Sequence, residues 1–176
     1  MLATSGYVIG LRVVHITAGV AWAGSVFLFV VFVQPSARAI GPAGAPFMRE
    51  LLGKRRLVRN LLWIAGVAIA GGLLLYWRDW QAAGSFGDWI GTRFGLGLTI
   101  GSVAAIVAFL IGLFGTRPNV ARLLALGARM AEAGDRPPTD LVQEVQATQS
   151  RLVMLARLTL AFIAVAVLAM ATARYW

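Results

Sequence analysis

Four stretches of this chain are apolar for long enough to cross a bilayer, and that constrains the fold more than any other feature. A membrane helix needs roughly 20 mostly apolar residues. Candidate spans run over about 7–33, 61–77, 94–115 and 152–173. The first is interrupted only by Arg12 and His15, the fourth by Arg157. Between them they take up about half of the chain's 176 residues, and of all 176 only 13% are charged and 59% hydrophobic. A soluble domain carries about 25% charged residues. The expected fold is therefore an all-α integral membrane protein, an antiparallel bundle of four transmembrane helices in one domain, 1–176. The chain has no Cys. Disulfides, iron–sulfur clusters, thiolate zinc sites and thiol nucleophiles are excluded. With one His, so is any multi-His metal site within a single chain.

The connections carry the charge. Residues 34–60 hold Arg38, Arg49, Lys54, Arg55, Arg56 and Arg59 against Glu50 alone. Residues 117–151 hold Arg117, Arg122, Arg129, Arg136 and Arg151 against four acids. Residues 78–93 have only Arg78 and Arg93 as bases. The positive-inside rule then puts the first and third loops in the cytoplasm and both termini outside. The expected location is the inner (plasma) membrane. Trp77, Trp80, Trp89, Tyr175 and Trp176 would form the outer aromatic belt. Most of the net charge of +9 is this topological bias, so nucleic acid is not an expected partner. The first span lacks the basic n-region of a signal peptide and exceeds an h-region in length, so it is expected to persist as a helix.

Small residues four apart, Gly66 and Ala70 on the second span and Gly97 and Gly101 on the third, are expected to mark close helix packing. They also offer a face for a homodimer. In the third loop, 120–133 has helical spacing, Gly134 to Pro138 breaks it, and Thr139 is placed to cap a further helix. This reads as a helical hairpin extending the third and fourth helices beyond the bilayer. No phosphate loop, Ser–His–Asp set or paired carboxylate is visible, and no acid lies in mid-membrane. Neither an enzymatic nor a non-enzymatic role follows from the motifs alone.

Ionisable groups inside a membrane are costly, and each is a functional candidate. His15, Gly19 and Trp22 share one face of the first helix. An imidazole ligand, a glycine leaving space and an aromatic wall suit a flat cofactor. Arg12, one turn nearer the outer surface, and Arg93, at the mouth of the third helix, are candidate partners for haem propionates. Met170 on the fourth helix comes out at similar depth to His15 at ~1.5 Å per residue. His with Met is an axial pair for haem iron, and both also ligate copper(I). The site expectation is haem b held by His15 and Met170. Copper on the same two residues is the alternative, and a cofactor-free accessory subunit of a larger membrane complex, with a hydrogen-bonded structural histidine, is a third. Arg157 is expected to reach toward the inner headgroups.

The first helix reads His15-Ile-Thr-Ala-Gly-Val-Ala-Trp22-Ala-Gly24 and ends at Gln34-Pro35. This resembles the opening helix of the CopD-like membrane proteins. A His-to-Trp spacing of seven also occurs in the related HemJ protoporphyrinogen oxidases. Gly71-Gly72-Leu73-Leu74 looks like the second-helix ending of that superfamily. The resemblance implies a helical membrane bundle that handles copper or haem, in electron transfer or porphyrin redox chemistry, with His15 as ligand. The third span lacks the Lys that the oxidases use, which argues against that activity.

Overall fold

A computed structural model describes residues 2–134 and 136–175, apart from the side chains of residues 2–5 and Pro42. These residues are helical almost throughout and contain no strand. Four continuous helical stretches, Gly6–Ala39, Leu57–Ala83, Arg93–Ala133 and Thr139–Tyr175, are long and apolar enough to cross a membrane.

The first stretch is α1 (Leu2–Leu28), a π-helical turn (Phe29–Val33) and α2 (Gln34–Ala39). Pro35 sits in the first turn of α2. Proline has no N–H and crowds the carbonyl four residues back, so it normally ends or kinks a helix. Widening the preceding turn to π spacing lets this helix run on. The same device recurs in the third stretch, where a π turn (Ile111–Thr116) lies between α6 (Arg93–Leu110) and α7 (Arg117–Ala133), with Pro118 opening α7. There the Asn119 amide donates to the Gly115 carbonyl at 2.7 Å. The helices thus outrun the apolar segments: 7–33 extends to Ala39, and 94–115 to Ala133.

The first connection contains α3 (Gly44–Arg49) and a third π turn (Glu50–Lys54). It leads into α4 (Leu57–Ala83). Lys54 and Arg55 both pair with Glu50, and the Lys54 hydrogen bond is the main cause holding its carboxyl below the usual range. The second connection carries α5 (Phe86–Gly91), capped by Ser85, whose hydroxyl accepts from the Asp88 amide at 3.0 Å. Thr92 caps α6 in the same way, accepting from the Gly95 amide. The expected hairpin is present: α7 packs on α8 (Thr139–Thr172), tied by Arg122 to Glu144 at 2.7 Å. Thr139 is not its cap. It is already helical, and Pro138 holds the cap position without a side-chain bond.

α1 packs closely on α4, and α6 on α8, while α4 against α6 and α1 against α8 are looser. Trp22, Val26, Ala65, Ala108 and Ile163 form the central core, and Leu52, Val120 and Leu152 a second one at the end bearing the basic connections. The α6–α8 contact uses the expected glycines. A Cβ on Gly97 would stand 2.9 Å from Ala173 Cβ, and one on Gly101 3.1 Å from the Ala166 carbonyl. On α4 the packed face is different from the expected one. Gly66 has open space and Ala70 is exposed, whereas Ala65, Ala68 and Gly71 are buried against α1 and its neighbours. The buried set recurs every three residues and the expected pair every four; both spacings line a helix face, and the partner helix selects between them. Among the expected belt residues, Trp77 and Tyr175 are exposed and Trp80 is half-buried. Trp89 is buried, edge-on to Tyr76 and Phe94. α5 folds back over α4 and α6 and carries it inward. Trp176 lies outside the described residues.

Candidate functional site: an imidazole on an apolar cavity

The site begins with two glycines in the middle of an apolar helix. Gly costs roughly 1 kcal/mol against Ala in a helix interior, so Gly71-Gly72 in α4 needs a reason. The reason is His15 of α1. A Cβ on Gly71 would lie 3.4 Å from His15 Cβ. One on Gly72 would lie 2.7 Å from Cε1 and 2.9 Å from Nδ1 of the ring. The bare backbone forms a shelf on which the imidazole rests.

On that shelf His15 Nδ1 lies 2.7 Å from the Ala68 carbonyl oxygen. The carbonyl can only accept, so Nδ1 carries the proton, and in the neutral ring Nε2 keeps its lone pair. Among the described residues Nε2 has no hydrogen-bond partner, and the buried, unpartnered side-chain atom is Trp89 Nε1 rather than this one. His15 is half-buried and lines a cavity of about 400 Å³ between α1, α4, α6 and α8. That lies within the ~300–1,000 Å³ common to small-molecule sites.

The cavity wall is almost entirely apolar. Gly19 and Trp22 line it from α1, as the shared face predicts, and Met170 lines it from α8. The packing that sets Met170 is the Gly101 notch: a Cβ there would meet its Cγ at 2.6 Å. Four of the six expected site residues, His15, Gly19, Trp22 and Met170, are thus brought to one cavity. Arg12 and Arg93 are exposed and do not line it. Arg12 is within a turn of His15 on the same helix. Arg93 opens α6, nine residues before the cavity residue Ser102. Sequence reasoning missed Ser102, the polar group facing the cavity from α6, and missed Ala68 and Gly72. The glycine doublet was the available signal for the latter pair.

Chemically the arrangement offers one oriented nitrogen donor, one thioether and a dry apolar wall. Among the described residues no three His, Cys, Asp or Glu side chains come together as a metal-holding group. Any metal here would have to bring most of its own ligands. Rim residues Ile16, Val20, Leu73 and Val167 are exposed apolar side chains, so the cavity opens sideways onto the same apolar surface that the four long helices present. No family model, curated protein or solved structure matches this chain.

Proposed function

We propose that the chain is an integral membrane protein whose four long helices form an antiparallel transmembrane bundle, and that it binds a b-type haem in the cavity beside His15. Membrane insertion is supported by the inverted surface. Trp63, Val67, Val103, Val165 and Leu168 are all exposed on the long helices, while the most buried positions of the core are alanines, Ala65 and Ala108. Such a contiguous apolar exterior is foreign to a soluble monomer. The basic connections favour cytoplasmic loops and outer termini.

The observation that carries the haem reading is the Ala68–His15 hydrogen bond beneath an open Nε2. Metal-bound histidines almost always donate their other ring N–H to a carbonyl or carboxylate, which fixes the tautomer and turns the lone pair toward the metal. The same bond would suit a purely structural histidine, but such a residue needs no cavity beside it. Size favours haem over copper. A lone copper ion fills a few Å around its ligands, whereas about 400 Å³ of apolar space suits a macrocycle that supplies four of its own donors. Bound there, the iron would supply one-electron redox chemistry.

The chain's own residues have separate tasks in this reading. Ala68 and Gly72 hold the imidazole, and Met170 offers sulfur from the α8 side of the cavity, seated by Gly101. Trp22 and Ile163 exclude water, while Arg12, exposed and off the cavity wall, lies one turn before His15 on α1. Haemin titrated into protein purified in mild detergent tests the reading. A saturable Soret band at one haem per chain is expected for wild type, lost in His15→Ala and spectrally altered in Met170→Leu. Equal binding by His15→Ala would overturn the assignment.

A further inference from the structure

A second groove lies at the opposite, basic end of the molecule, between the first and last helices. It is lined by Val30, Gln34 and Arg38 from the first helix and by Val153 and Arg157 from α8. Its volume is about 360 Å³. Val30, Gln34 and Arg38 are spaced by four and fall on one stripe, as do Val153 and Arg157.

The directions of the two helices make the arginines converge. In an α-helix each Cα–Cβ bond leans toward the N-terminus. The first helix runs toward the basic end, where Leu52, Val120 and Leu152 pack together, so Arg38 leans back toward the apolar span. α8 starts from that same end, so Arg157 leans out of the span toward the basic connections. Both side chains thus leave the backbone leaning toward one another along the groove they line.

No acid among the described residues balances them. The ion pairs of the described residues use Lys54, Arg55, Arg78, Arg122 and Arg129. Among the described residues neither Arg38 nor Arg157 has an acidic partner, and no Asp or Glu lines the groove. Two like charges facing one partly apolar groove repel unless an anion lies between them. Gln34 adds an amide donor, while Val30 and Val153 give the groove apolar walls. A planar, many-donor guanidinium matches phosphate geometry.

From this juxtaposition we propose that the Arg38–Arg157 groove is a binding site for an anionic phospholipid, with the phosphate between the two guanidinium groups and an acyl chain along Val30 and Val153. The site lies where a span meets a basic connection, the depth at which headgroups sit. It rests on the membrane reading given above and not on the haem.

The test uses the full chain in detergent, examined by native mass spectrometry with phosphatidylglycerol or phosphatidylcholine added. Wild type is expected to retain one phosphatidylglycerol in preference to phosphatidylcholine. Arg38→Gln and Arg157→Gln should each weaken retention about fivefold, the contribution of one basic residue near an anionic surface. Arg49→Gln, exposed and outside the groove, should leave it unchanged. Arg38→Lys and Arg157→Lys, which keep charge but lose the fork, should fall between. Equal retention of the two lipids, or glutamine variants that bind like wild type, would overturn the proposal. So would displacement of the lipid by inorganic phosphate, which would make this a free-anion site. Alkaline carbonate extraction separates the two failures. A chain washed from membranes contradicts the membrane reading itself, whereas one that stays embedded without lipid preference contradicts only the groove.

Discussion

Gly72→Ala isolates the shelf under His15 from the rest of the bundle. The added Cβ would lie 2.7 Å from Cε1 and 2.9 Å from Nδ1 of the imidazole. Carbon atoms rest at about 3.5–4.0 Å, so the ring must retreat by ~1 Å. The 2.7 Å bond to the Ala68 carbonyl then stretches beyond the ~3.2 Å limit of a useful N–H···O contact. An interhelical hydrogen bond in a membrane is worth about 0.6 kcal/mol on average and ~1.7 at most. Replacing a helical Gly by Ala returns about 1 kcal/mol of propensity. The two nearly cancel, so thermal stability in detergent should change by less than about 1 kcal/mol. Ligand affinity has no such compensation, because displacing the partner that orients a metal-bound His costs ~10–100-fold. Haemin titration by Soret absorbance, paired with a fluorescence melt, reads both quantities. Gly66→Ala, facing open space, serves as the control and should keep affinity while gaining slightly in stability. Wild-type affinity in Gly72→Ala would refute the shelf argument. A collapse of stability alongside lost binding would show that the glycine serves packing alone.

Other outcomes follow from the same contacts. Gly97→Leu must force α6 away from Ala173, whose Cβ would be 2.9 Å from even the first added carbon, and overpacking of this kind costs about 1–3 kcal/mol, measurable as a lowered melting temperature in detergent. Glu144→Gln removes the carboxylate that faces Arg122 and Arg129 across the hairpin. Because the pair is largely exposed, the loss should be about 0.2–1 kcal/mol and should vanish in high salt. Glu50 has its carboxyl held below the ordinary carboxylate range, chiefly by the Lys54 hydrogen bond. Its contribution is therefore fully present above the ordinary carboxylate range and is lost as pH falls through the lowered folded value. A carboxyl chemical-shift titration should show Glu50 titrating below a model peptide, and the shift should shrink in Lys54→Ala.

The four long helices were legible because apolar run length is a direct signal and survives any detail of packing. Their true ends were not. The first helix was expected to end at Gln34-Pro35 and the third span at residue 115, yet a π turn before Pro35 and another before Pro118 carry each helix onward. The third-loop hairpin was legible from its spacing and its Gly-Pro break. Gly97 and Gly101 were read correctly, but the packed face of α4 was not. That helix is rich in small residues on several sides, and spacing alone cannot choose among them.

The site was half legible. An isolated His, a Gly one turn on and a Trp at seven share a face whatever the partner helices do, and Met170 follows from depth counting. Ala68 acts through its backbone carbonyl, which leaves no mark in residue type. Arg12 and Arg93 were expected at the cavity because haem carboxylates would need cations, but their positions on α1 and α6 leave them exposed and off its wall. Trp89 was expected at an interface on composition, and the fold-back of α5 buries it instead.

The most direct test of the central claim is a reduced-minus-oxidised optical spectrum of the protein isolated from membranes in mild detergent, with metal analysis of the same sample. A haem-binding bundle should show a Soret band that shifts on reduction, with iron near one per chain. A colourless protein that carries stoichiometric copper, or one that takes up no haem when haemin is supplied, would contradict it.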